Sequence, residues 1–588
     1  MRLPNLLATR RGRLTAFFLL YATEGIPLGF VGTAVATQLR RQDVGPAEIG
    51  ALVGSFYLPW AFKWAFGPVI DVFASDRLGR RRGWILLTQV LMACTLLSTV
   101  VLRLPEQLQL FTIILLVHNT FGAMQDVAID ALACNTLQED ERGLANGTMF
   151  AGAYIGIMLG GSGVLFLTSN GVDFQWTFLF VVGCILLVTL FVVLPMKEPA
   201  QPARPSASDT RLSARVMSAG REMRSFVEVA FRSFLGSRGA FCGLFFALLP
   251  AGAMCLGLAL QTNLAVELGM KDEQVAWLNA FSAVISASFC ILGGALSDRF
   301  GRRAALFTYI ALMGLPVLFL ASVLQQYGWI FPVSANDRPP VPDALITAYW
   351  IAVLVYSMFN GLMYGTRSAA FMDVTNPAVA GTQFTAYMAL MNVAIAYSAT
   401  WQGVAIEAFG YPRTMLFDVL LGVVCLAFIP LMAKRPTGTR SFVDAAATLR
   451  ARGVAYGLSL VCFAWLPYRI WQDSFGPLQP IAETFFTLVF VVAALFLLAT
   501  AATIGGSARM LVRCGVVVAP LLLFMYARHY VEPIGRGFGV DTAHGTFASV
   551  IEIVLRAIPP AAGIVLLLLA LQPWRELEPN AAPEPVAA

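Results

Sequence analysis

Long apolar runs separated by short polar breaks recur along nearly the whole chain. A helix needs about 20 mostly apolar residues to cross a hydrocarbon layer roughly 30 Å thick, because it rises about 1.5 Å per residue. Twelve runs of that kind fill the first three-quarters of the sequence: 14–39, 46–73, 84–103, 107–136, 144–168, 174–195, 239–266, 273–297, 305–326, 344–372, 379–407 and 412–433. Four more follow at 453–471, 481–504, 510–530 and 546–572. The pattern predicts an all-α polytopic membrane protein.

The polar breaks divide the twelve runs into two sets of six. Asp-Arg-x-Gly-Arg-Arg occurs as Asp76-Arg77-Leu78-Gly79-Arg80-Arg81 and again as Asp298-Arg299-Phe300-Gly301-Arg302-Arg303, each time between the second and third run of a set. Two related halves explain this placement, at 1–195 and 239–433. Between them, 196–238 reads as a linker rich in Pro, Ala and Ser followed by a basic amphipathic helix that either lies on the membrane surface or packs on the underside of the protein. Extra transmembrane helices at 434–572 and a disordered tail at 573–588 complete the expected organisation.

Composition agrees with lipid as the solvent. Hydrophobic residues make up 58% of the chain and charged ones 13%, and the mean hydropathy is +0.72; a water-soluble domain has no way to hide that much apolar surface. The net charge of +6 comes from arginines in short loops, which excludes the nucleic-acid reading that a soluble chain would invite. Arg77, Arg80, Arg81 and Arg82 share a side with Arg299, Arg302, Arg303, Lys434, Arg435 and the N-terminal arginines, so that side and both termini are expected in the cytoplasm. Arg40 and Arg41 are exceptions. The run at 14–39, interrupted by Glu24 and Pro27, reads as a retained first helix and not a cleaved leader. All nine cysteines lie in apolar runs without a C-x-x-C pair, so neither a disulfide nor a metal is expected.

Polar residues inside the runs are the candidates for chemistry, since a charge in hydrocarbon is expensive unless it faces water, pairs or holds a proton. The fourth run carries His118, Gln125, Asp126 and Asp130, with the two aspartates one helical turn apart. Glu24 lies beside Gly25-Ile26-Pro27, and Lys63 on the second run either neutralises one of these carboxylates or snorkels to the interface. Asp126, Glu24 and Asp130 are the expected proton-coupling groups; a structural pair near the helix end is the alternative for the two aspartates. Gln261, Asn360, Tyr364, Arg367, Gln383 and His118 are the expected substrate-cavity residues; for Arg367, near the inner end of its run, a lipid-headgroup or lock contact is the alternative. In the duplicated loops glycine permits a tight turn and arginines reach helix ends and carboxylates. Asp71, Asp76, Gly79, Arg80, Arg81, Asp298, Gly301 and Arg302 are therefore expected to gate, with either Asp71 or Asp76 as the first-half lock. Gly152, Gly156 and Gly160, four residues apart, predict close helix packing.

The duplicated loop resembles the signature of the major facilitator superfamily. Gly25-Ile26-Pro27-Leu28, Phe62-Lys63 with Gly67-Pro68 and Asp71, Gly79-Arg80-Arg81-Arg82-Gly83-Trp84, Gln125-Asp126-Val127-Ala128-Ile129-Asp130-Ala131 with Glu141-Arg142-Gly143, and Gly381-Thr382-Gln383-Phe384 resemble its peptide and acetyl-coenzyme A transporter family, which includes the AmpG-type muropeptide permeases. That resemblance implies proton-driven import of anhydro-muropeptides through the inner membrane, with protons and a small solute as partners, a monomer as the expected state and no cofactor. The seventh run departs from the AmpG-type pattern, having no ionisable residue where that branch carries a charged pair, and Leu58-Pro59-Trp60 is similar to siderophore-importing relatives. A siderophore or an acetyl-coenzyme A-like anion is the alternative cargo. Two rivals come from other classes: a membrane enzyme of prenyltransferase type, in which paired aspartates hold magnesium-diphosphate, and a receptor or scaffold.

Overall fold

A computed structural model describes residues 5–73, 78–137, 142–198, 212–334, 337–375, 380–432, 447–503, 511, 513–523 and 545–571. Ten stretches of helix among them are long and apolar enough to cross a membrane. The chain forms two compact units. The first comprises Met1–Arg221, Phe245–Met372 and Tyr387–Pro430, and the second Glu222–Leu244, Asp373–Ala386 and Leu431–Ala588.

In the first unit α1 runs over Arg10–Arg41, with a wider π turn at Phe30–Val35. Next come α2 (Pro46–Ala61), α3 (Lys63–Val72), α4 (Arg82–Thr99), α5 (Leu108–Thr136), α6 (Arg142–Met158) and α7 (Phe174–Val188). The second predicted run is thus two helices, broken at Phe62 after Pro59. Contact between α1 and α6 is made through backbone. Gly152, Gly156 and Gly160 lie against the carbonyls of Phe18, Ala22 and Ile26, while Gly25 and Gly29 lie against those of Ala153 and Ile157. Absence of side chains on both surfaces is what lets these helices touch.

After α8 (Leu212–Leu235) the seventh predicted run also departs from one continuous span. It forms α9 (Arg238–Leu248), then an irregular stretch with a short 3-10 turn at Cys255–Gly257, then α10 (Ala259–Glu267). Pro250 follows α9, and Gly252 takes φ +89°, a conformation only glycine adopts without strain. Interrupted backbone at membrane depth must find other partners. Asp418 supplies them, accepting from the amides of Met254 at 2.7 Å and Cys255 at 2.9 Å, and from Gln402 Nε2 at 2.6 Å. Then come α11 (Asp272–Phe300), α12 (Arg302–Gln326), α13 (Asp343–Val374), α14 (Ala380–Phe409) and α15 (Tyr411–Val424).

The second unit contains the C-terminal part of α8 with α16 (Ala447–Trp471), α17 (Gln479–Thr503), α18 (Arg513–Leu523) and α19 (Gly545–Leu571). Its core is aromatic: Trp465 meets Phe486 at 5.2 Å and Phe490 at 5.3 Å between ring centroids. Polar ties link α16 to α19, with Ser459 Oγ donating to Gly563 O at 2.9 Å and Arg452 Nε to Ala570 O at 2.7 Å.

Candidate functional site

Three assemblies in the first unit bring together polar residues that the sequence scatters. The first lies among α1, α3 and α5. Lys63 Nζ is 2.7 Å from Asp126 Oδ2 and 3.8 Å from Asp130 Oδ2. Tyr21 donates its hydroxyl to Asp130 Oδ1 at 2.5 Å. Glu24 is 9% exposed, lies within hydrogen-bond reach of Asp126, and its Oε1 has no partner. Below it Thr23 Oγ1 accepts from Gln125 Nε2 at 2.9 Å, which holds α5 against α1. Asp126 therefore stands between the Lys63 ammonium and a second buried carboxyl, Glu24, an arrangement able to hold and pass a proton. The break at Phe62 starts a new helix at Lys63, beside the aspartates. His118 is placed elsewhere, in the contact between α4 and α5, where its Nδ1 meets Met92 O and Thr95 Oγ1, both at 3.0 Å.

The second assembly is a cavity of about 130 Å³ between the two sequence halves, whose lining includes Thr33, Tyr57, Gln261, Thr262, Asn279 and Tyr349. Of the predicted cavity residues Gln261 lies here, its carbonyl accepting from Tyr349 Oη at 2.6 Å. Asn360, Tyr364 and Arg367 follow on α13. The Arg367 guanidinium carbon stands 4.3 Å from the Tyr364 ring centroid. Gln383 is buried but belongs to the second unit.

The third closes one end of the halves against each other. Glu267, at the end of α10, is 1% exposed and Arg40, at the end of α1, is 5% exposed. Arg40 donates to Glu267 Oε1 through Nε at 2.8 Å and Nη2 at 2.6 Å. Tyr411 Oη donates to the same oxygen at 2.6 Å, and Arg40 Nη1 reaches Val44 O at 3.2 Å. Around this centre Arg41 pairs with Asp272 at 2.6 Å, Thr168 Oγ1 donates to Asp272 Oδ2 at 3.0 Å, and Glu407 accepts from the Ala47 amide at 2.9 Å. Asn279 Nδ2 to Ser162 Oγ, at 3.0 Å, joins α11 to the turn after α6. Sequence reading had marked Arg40 and Arg41 only as exceptions to the charge bias.

At the opposite end, Gly79 and Gly301 both take φ +92°. One backbone geometry thus recurs at the matching position of both loops, and its left-handed φ accounts for glycine there. Glu198, which sequence reading assigned to the linker, accepts from the Arg81 amide at 2.9 Å and from the Arg82 amide. Arg82 caps the end of its half by donating to Val193 O at 2.9 Å and Leu194 O at 2.6 Å, and Arg303 does the same to Pro430 O at 3.5 Å. Arg80 and Arg302 lie in these loops. Asp76 and the side chains of Asp71 and Asp298 fall outside the described residues. Each amide left without an acceptor costs at most about 1–3 kcal/mol, less where water replaces the carboxylate, so Glu198→Ala is expected to loosen the first loop. Limited tryptic cleavage at Arg80 to Arg82 in detergent should rise several-fold; unchanged cleavage would contradict a clasping role for Glu198.

Membrane-spanning helices from both sequence halves line one cavity, the arrangement of a membrane transporter of the two-half kind. The chain belongs to the Major Facilitator Superfamily, whose family model matches residues 14–399. It is similar to the anhydromuropeptide permease of Escherichia coli K12, 22% identical over 414 residues, covering 70% of this chain and 78% of that protein. It is also 22% identical over 419 residues to the putative transporter AmpG 4 of Rickettsia conorii, covering 70% and 95%. Among solved structures it shares its fold with a D-xylose-proton symporter, at TM-score 0.51 and 12% identity over 73% of this chain and 97% of that one. A POT family transporter bound to 5-aminolevulinic acid aligns at TM-score 0.54 and 12% identity over 72% and 97%.

Proposed function

We propose that the chain is a proton-coupled symporter of the bacterial inner membrane that imports anhydro-muropeptides. The observation that carries the coupling is the cluster of Glu24, Asp126 and Asp130 around Lys63. Fully ionised, it places two buried carboxylates, Glu24 and Asp126, beside one ammonium group, with Asp130, its side chain 44% exposed, at the edge of the cluster. An uncompensated buried charge is costly, and a proton on one carboxyl relieves part of that cost. Glu24, whose Oε1 has no partner, is the natural carrier, with Asp126 relaying between it and Lys63. Likeness to the anhydromuropeptide permease supports the cargo.

In this reading the Arg40 end faces the periplasm and the Gly79 end the cytoplasm. Closure at Arg40 and Glu267 supports an outer gate that is shut, with solute released inward. The loop residues Gly79, Arg80, Arg81, Gly301 and Arg302, with Asp71 or Asp76 and Asp298, form the inner gate that shuts when the outer one opens. Uptake of labelled anhydro-muropeptide into vesicles is expected to accumulate solute only when a proton gradient directed inward is imposed. Accumulation that ignores the gradient would sink the coupling, and absence of muropeptide uptake would sink the cargo.

A further inference from the structure

Buried cations in the first unit differ in what neutralises them. Arg40, 5% exposed, has Glu267, and the Lys63 side chain, 12% exposed, has Asp126. Arg367 is also 5% exposed, yet no carboxylate pairs with it among the described residues. Its neighbour is the Tyr364 ring, which meets one face of the guanidinium. Its Nε finds no acceptor. A ring face offsets only part of a buried positive charge and leaves the in-plane donors of the guanidinium unused.

Among the described residues the surroundings supply hydroxyls but no anion. Tyr154 lies within electrostatic reach of Arg367, Tyr364 and Tyr57. Tyr57 in turn lines the cavity that holds Gln261, Thr262 and Asn279. Tyr57 is thus the phenol that belongs both to the surroundings of Tyr154 and Tyr364 and to the cavity wall. Arginine's planar fork fits a carboxylate in bidentate fashion, and the phenols provide flat contact for the body of a ligand.

We infer that Arg367 is the anion-recognition residue of the transport site, binding an organic carboxylate beside the Tyr364 ring. The inference rests on the transporter reading above and names the solute class, whatever the cargo within that class. When the carboxylate arrives it supplies the missing counter-charge, so occupied and empty cavities differ by one unit of buried charge. Cargo and proton then reach the site as separate charges: the anion at Arg367 on α13, the proton among α1, α3 and α5.

The test is equilibrium binding to purified full-length protein of matched pairs, each a carboxylate and its amide. The panel consists of an anhydro-muropeptide, short peptides and a hydroxamate siderophore bearing a carboxylate. The wild type should bind the carboxylate member at least about tenfold more tightly, the scale of one charge-assisted hydrogen-bond set. Arg367→Gln should erase that preference while the amide keeps its affinity, and Arg367→Lys should retain part of it. Equal affinity for the two members in the wild type, or no binding by any carboxylate of the panel, overturns the inference without recourse to a variant. Selective binding of a peptide or siderophore carboxylate with no binding of the muropeptide would uphold the inference and overturn the proposed cargo. Carboxylate preference that survives in a monodisperse Arg367→Gln protein overturns the role of this residue.

Discussion

Asp126→Asn is expected to abolish accumulation driven by a proton gradient while sparing exchange of labelled for unlabelled solute across the same membrane. Exchange requires only that the loaded carrier reorients, whereas accumulation requires the carrier to release its proton and return. Asparagine keeps the size of the side chain but removes the charge that Lys63 contacts at 2.7 Å. The ammonium is left with Asp130 at 3.8 Å, and Glu24 loses the carboxylate beside it. Removing one partner of a buried pair costs about 3–5 kcal/mol, softened here by the second aspartate. A fall in accumulation of about a hundredfold or more, with exchange reduced less than tenfold, is the expected pattern. Equal loss of both would reassign Asp126 to structure, and undiminished accumulation would remove it from coupling altogether. Glu24→Gln should behave in the same direction, since it fixes the neutral state of the proposed carrier.

Glu267→Ala carries the second large effect. It strips Arg40 of its counter-charge and Tyr411 of its acceptor in a place that is 1% exposed. Of order 3–5 kcal/mol is withdrawn from the state closed at this end, enough to move a two-state balance by roughly a hundredfold to a thousandfold or more. Spin labels at Gln42 and Lys271, both exposed beside the closure, should report a longer separation in the variant than in the parent. The double replacement Arg40→Met with Glu267→Met should close the distance again, because two apolar side chains leave no buried charge behind. An unchanged distance in Glu267→Ala would show that the closure is held elsewhere, at Arg41 and Asp272 or along α2 and α14.

What the chain reveals without coordinates follows from the range of the interaction. Loop glycines were legible because a tight turn is a local demand, and φ is the same at Gly79 and Gly301. Asp126 and Asp130 were legible as a pair because one helical turn separates them, and the cost of charge in hydrocarbon made Lys63 a candidate partner for one carboxylate, with snorkelling to the interface as the other reading. Glu198, Glu267 and Asp418 were not, since their partners lie 117, 227 and 164 residues away. Helical periodicity also hid the breaks at Phe62 and after Leu248. An apolar run looks continuous when the groups that satisfy its broken backbone, such as Asp418, sit on another helix. The one available signal was the pair of arginines on the side otherwise poor in positive charge, since an exception to the loop-charge bias calls for a compensating acid.

Those two arginines bear on how the chain enters the membrane. In the proposed orientation Arg40 and Arg41 are carried outward early in synthesis, against the tendency of basic residues to stay inside. The acids that neutralise them, Glu267 and Asp272, are made more than 200 residues later, Arg40 and Glu267 standing 227 apart. The first six helices therefore leave the translocation machinery with two unneutralised charges on their outer rim. Water can solvate them there until the second half arrives, so their burial and pairing with Glu267 and Asp272 belong to the assembly of the halves.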